Sequence, residues 1–142
     1  MKEAAYKAHQ RKFELPRCLN WKTQKCKLLE LTPESAKGSV KIGDQIYLTR
    51  SDLTPESIHT MAYPKKKARL IHHFTEGSSL EVREALMKDL ASFFLLDPKR
   101  LRIVKNEDGI PIVMLDHMRF FSKFSLSGHG RFSAYFYSLT QS

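Results

Sequence analysis

Two cysteines in 142 residues exclude a disulfide framework, and Cys18 and Cys26 do not form a CxxC pair of the kind that opens a zinc site. They leave room for one disulfide at most. Long hydrophobic runs are also missing. The longest are four residues, such as Phe93-Phe94-Leu95-Leu96, far short of a membrane span. The opening segment MKEAAYKAHQRKFELP lacks the apolar centre of a signal peptide. A soluble cytoplasmic protein with reduced thiols is therefore expected. The six histidines follow no metal-ligand spacing, no nucleophile elbow surrounds any serine, and no RNP-type pattern accompanies Phe132, Tyr135 and Phe136. Acids are scarce, with 15 Asp and Glu against 24 Lys and Arg, a net charge of +9 that attracts nucleic acid, anionic membranes, acidic proteins or a phosphate-rich ligand.

What is present is enough to fold. Apolar residues make up 42% of the chain, including 9 Phe and 5 Tyr, which supports a packed core and one ordinary domain with a short extension. Residues 1–40 carry many cations and no sustained alternation, and are expected to form a basic N-terminal extension, partly helical, onto which Trp21, Leu28 and Leu29 fold. The segment Leu-Thr-Pro-Glu-Ser occurs at 31–35 and again at 53–57. Thr as N-cap, Pro at the first helical position and Glu near the positive dipole end predict two helix starts. DQIYLT (44–49) alternates as a strand does. Residues 55–74 are expected to form helical turns interrupted at Pro64, with Lys65 to Arg69 and His72-His73 on a solvated basic face.

The clearest element begins at Ser78. Ser78 and Glu81 have the spacing of a capping box, and Val82, Ala85, Leu86, Leu90 and Phe93 follow at helical intervals until Asp97-Pro98 stops the helix. Residues 100–115 then read as a hairpin turning at Asn106-Glu107-Asp108-Gly109. The closing stretch KFSLSGHGRFSAYFYSL reads as a strand pair. The order predicts an α+β domain, 41–142, with a small antiparallel sheet packed against a long helix.

From about residue 44 onward, DQIYLTRSDLTPES, EVREALMKDLASFFLLDPKRLRIV, KNEDGIPIV and FSLSGHGRFSAYFYSL together resemble a half-domain of the 4′-phosphopantetheinyl transferase superfamily. They are similar to the N-terminal half of the large surfactin-synthetase-activating type, or to the single half of the trimeric holo-acyl-carrier-protein synthases. The resemblance implies transfer of phosphopantetheine from coenzyme A to a serine of an acyl or peptidyl carrier protein, with Mg²⁺ across the pyrophosphate. It implies phosphate-side roles for Ser127, Gly128, His129, Arg131 and Lys105, and for Gly109, Pro111 and Arg83. The family's turn lysine is Ile110 here, and its Ser-His pair is Ser127-Gly128 with the histidine one place later. Neither the G-[IV]-D-[IV]-E nor the W-x-x-K-E-[AS] motif that supplies metal-binding acids occurs in these residues; Glu81 and Glu84 are the only acids near the helix start. Activity would then require a homo-oligomer or a complementary half-chain. The alternatives are a non-catalytic half-domain that binds coenzyme A, a carrier protein or a partner subunit, and a small basic nucleic-acid-binding domain.

Overall fold

The computed structural model describes residues 1–16, 18, 20–64 and 69–139. The chain divides into two compact units, Met1–Lys67 and Ala68–Ser142. In the first, α1 (Lys2–Phe13) and a 3₁₀ turn (Trp21–Thr23) precede four strands, β1 (Gln24–Leu31), β2 (Ser35–Ile42), β3 (Gln45–Leu53) and β4 (Ile58–Pro64). They form an antiparallel meander in the order β1-β2-β3-β4. Helix α1 lies on one face of the sheet, where Ala5, Val40, Tyr47 and Ala62 form the core with Met1, Ala4, Ala8 and Ile42 around them.

Both copies of Leu-Thr-Pro-Glu-Ser are hairpin turns, not helix starts. In each, the Thr N–H donates to the Ser carbonyl (Thr32 to Ser35, 2.8 Å; Thr54 to Ser57, 2.9 Å), and the Ser N–H donates to the Thr hydroxyl at 3.0 Å. The Thr side chain thus plays the N-cap's chemical part while the strands that follow take the chain away from a helix. The two turns are joined, since Leu53 N–H donates to the Glu34 carbonyl at 2.8 Å. The identical pentapeptides therefore build neighbouring turns at one end of a sheet.

The second unit contains β5 (Arg69–Glu76), α2 (Ser79–Phe94), a 3₁₀ turn (Pro98–Arg100), β6 (Leu101–Lys105), β7 (Pro111–Leu115), β8 (Met118–Phe121), β9 (Phe124–His129) and β10 (Phe132–Leu139). The strands make two three-stranded sheets, β5-β10-β9 and β6-β7-β8. The capping box forms as its spacing predicts: Ser78 Oγ accepts from Glu81 N–H at 3.2 Å, and the Glu81 carboxylate accepts from Ser78 N–H at 2.6 Å. Val82, Leu86, Leu90 and Ala91 of α2 then bury against Leu101, Val113, Phe124, Tyr135 and Tyr137, so one helix closes the core over both sheets. Asp89 anchors it: Tyr135 and Tyr137 hydroxyls both donate to Asp89 Oδ2, at 3.0 and 2.8 Å.

The expectation of an α+β domain with one small sheet on a long helix is corrected by this architecture. Ten strands in three sheets hold about half of the described residues, and the helices are only 12 and 16 residues long. The fold is β-rich. The reason lies in 24–64 and 69–76, where segments expected as extension or helical turns pair as strands with partners elsewhere in the chain; Ile58 and Met61 have helical spacing, yet belong to one strand. Lys65 to Ala68, part of the expected basic helix face, lie outside the described residues. No described helix is long and apolar enough to cross a membrane.

Candidate ligand-binding face

Strand alternation sorts the closing stretch onto two faces. Antiparallel pairing sets Phe132, Ala134 and Phe136 opposite Glu76, Phe74 and His72 on β5, and opposite His129, Ser127 and Ser125 on β9. Directly paired residues share a face, so these nine form the outer face of the β5-β10-β9 sheet. The other face carries Tyr135, Tyr137, Leu126 and Phe124 into the core beneath α2.

This geometry gives the position of His129 a physical meaning. Adjacent strand residues point to opposite faces, whereas residues two apart line up on one face, roughly 7 Å apart. Placing the histidine at 129, not 128, puts its imidazole on the same exposed face as the Ser127 hydroxyl. Gly128 lies between them and belongs to the helix side, where a Cβ would sit 3.6 Å from Ser133 Oγ.

The turn beyond His129 is a two-residue loop, Gly130-Arg131. Gly130 takes φ +58° and Arg131 keeps a negative φ, the II′ arrangement in which the first loop residue is glycine. Gly130 is thus explained by turn geometry alone. Arg131 is held in place: its Nε lies 3.1 Å from Glu76 Oε1 and its guanidinium 5.0 Å from the Phe132 ring centroid. Phe132 in turn stacks on Phe74 at 5.4 Å and 17°. The result is an aromatic floor with a guanidinium at one end, flanked by a hydroxyl and two imidazoles.

The hairpin end is also joined to the start of α2. Gly77 N–H donates to the Arg131 carbonyl at 2.9 Å, and the buried Ser133 hydroxyl donates to the Gly77 carbonyl at 2.9 Å. Arg83, half-buried, is one turn further along α2. Lys105, Gly109 and Pro111 lie elsewhere, on the β6-β7 hairpin of the other sheet. There Asn106 organises the turn, its carbonyl accepting from Gly109 N–H and its side chain from Ile110 N–H, with Gly109 at φ +73°. The structure thus brings Ser127, His129 and Arg131 to one end of one sheet, and puts Lys105, Gly109 and Pro111 in a separate turn. Glu76 and Phe74 are the members that sequence reasoning missed, while His72, expected on a basic helix face, lies on a strand of this one. They come from β5, which reads as helix in sequence and joins β10 only through long-range pairing.

Magnesium does not fit this face. Among the described residues no three His, Cys, Asp or Glu side chains cluster as metal ligands. The Glu81 carboxylate is engaged by Ser78, whose N–H holds its pKa below the ordinary value. Cys18 and Cys26 are exposed free thiols. No protein-family model, curated protein or solved structure matches the chain.

Proposed function

We propose that the chain binds coenzyme A on the outer face of the β5-β10-β9 sheet and presents it to an acyl or peptidyl carrier protein, in the manner of the phosphopantetheinyl transferases. The observation that carries this reading is the shared face of Ser127 and His129, beside Arg131 and the stacked Phe74 and Phe132 rings. Coenzyme A combines phosphates, which accept hydrogen bonds from hydroxyl, imidazolium and guanidinium groups, with a planar base that stacks on aromatic rings. An acidic carrier protein suits a chain of net charge +9, and both belong in a cytoplasmic setting.

Transfer of the phosphopantetheine group requires the attacking serine in line with the leaving phosphate oxygen, and a divalent cation beside the pyrophosphate. The chain supplies the phosphate-side groups. The carboxylates come from a second copy or a complementary chain in this reading, and without them the protein binds coenzyme A and does not transfer. The test incubates the full chain with coenzyme A, Mg²⁺ and an apo carrier protein, and measures the carrier's mass. A phosphopantetheine adduct identifies a transferase. Saturable coenzyme A binding with no adduct identifies the non-catalytic binding form. Absence of both refutes the proposal.

A further inference from the structure

We propose that the β1-β2-β3 part of the sheet face opposite α1 docks a carboxylate-rich protein surface; on β4, Met61 and His59 of the same face are buried. The register places Lys25, Lys27 and Glu30 of β1, Lys37 and Lys41 of β2, and Arg50 and Asp52 of β3 on this face. Five exposed cations face two carboxylates. Lys25 stands directly opposite Lys41, and Lys37 directly opposite Arg50. Like charges in directly opposed strand positions, with Cβ atoms about 5 Å apart, destabilise a sheet. Lys37 is offset by Glu30 at 3.0 Å and Arg50 by Asp52 at 3.5 Å. Lys25, Lys27 and Lys41 have no ion-pair partner among the described residues.

A repulsive pair kept on an exposed sheet face, next to an unpaired third cation, is relieved by an anionic partner. The neighbours decide which kind. Lys41 pairs across the strands with Ile46, which is 48% exposed, and no exposed aromatic ring lies between the cations. Single-stranded nucleic acid binding combines cations with aromatic stacking platforms. Protein interfaces combine apolar contacts with charge complementarity. The face therefore fits a partner that brings carboxylates and aliphatic side chains. This inference concerns the N-terminal unit and stands without the coenzyme A reading; of the partners named there, the carrier protein is the one whose charge matches.

The experiment titrates the full chain with poly-L-glutamate and with a single-stranded oligonucleotide of matched charge, at low and moderate salt, alongside the Lys27→Glu/Lys41→Glu variant. Salt-sensitive binding of poly-L-glutamate is expected, weakened at least tenfold in the variant. The variant's melting temperature is expected to hold or rise, because Lys25 then faces a carboxylate. Its coenzyme A affinity is expected to be unchanged. The proposal is overturned if the variant binds poly-L-glutamate as the wild type does, if the oligonucleotide binds more tightly than poly-L-glutamate, or if the variant loses coenzyme A affinity by the same factor.

Discussion

Replacing Asp89 by alanine tests the packing of the C-terminal unit at its most sensitive point. Asp89 Oδ2 accepts from two tyrosine hydroxyls at 3.0 and 2.8 Å, and these tyrosines are 6% and 1% exposed. Asp89→Ala leaves both hydroxyls in the core without that acceptor, at about 1–3 kcal/mol each. Asp89 itself is half-buried, so water reaches part of the gap and the lower half of that range applies. The expected loss is about 2–4 kcal/mol. Tyr135→Phe/Tyr137→Phe removes the donors and leaves only the half-buried Asp89 carboxylate without them, where water reaches it, so it is expected to cost less than Asp89→Ala although it deletes the same two bonds. Urea denaturation followed by far-UV circular dichroism measures both. Equal losses, or a loss in Asp89→Ala below about 0.5 kcal/mol, would refute the reasoning. The same groups give an alkaline signature. Burial first, then the bonds to Asp89, raise both tyrosine pKa values, and burial raises Tyr47 to about 12. Folded-state values above the unfolded ones mean that the contribution is present below about pH 10 and is lost as pH rises beyond it. In the double phenylalanine variant this alkaline loss is expected to shrink, leaving Tyr47's share.

Ser78→Ala breaks the capping box and is expected to cost about 1 kcal/mol at neutral pH, read as a lower melting temperature. Because the Ser78 N–H and side chain depress the Glu81 carboxyl, the stabilisation is present above its ordinary value of 4.5 and lost as pH falls through the folded value. Ser78→Ala keeps the backbone N–H, so its gap to the wild type should narrow as pH falls below that ordinary value only by the part the Ser78 side chain supplies. Leu95 ends α2 at φ 56° while 92% exposed, so a β-carbon sits in the left-handed region without burial to offset it. Leu95→Gly is expected to raise stability by about 0.5–1 kcal/mol, and a fall would contradict that reading.

Helix α2 was legible because its signals are local and agree: a capping box at Ser78 and Glu81, and Val82, Leu86 and Leu90 on one face, all three buried. The Asn106 to Gly109 turn was legible for the same reason. The Thr-Pro-Glu-Ser turns were not, since Thr, Pro and Glu suit a helix start as well as a hairpin, and the following strands decide between them. Strand β1 shows how far context outweighs pattern. Lys25 to Leu31 are exposed on both faces of an edge strand, so no alternation marks them, and Leu28 and Leu29 remain 55% and 57% exposed instead of folding inward. The ligand face was half legible. Ser127, His129 and Arg131 lie within five residues of sequence, whereas Phe74 and Glu76 reach them only through pairing with a strand more than fifty residues away.

Calorimetric titration of coenzyme A into the wild type and into Ser127→Ala/His129→Ala tests the functional reading most directly. Both side chains are exposed, so the variant is expected to keep the wild-type melting temperature. The account predicts saturable binding to the wild type and at least tenfold weaker binding to the variant. Equal affinities, or no binding by the wild type, would contradict it.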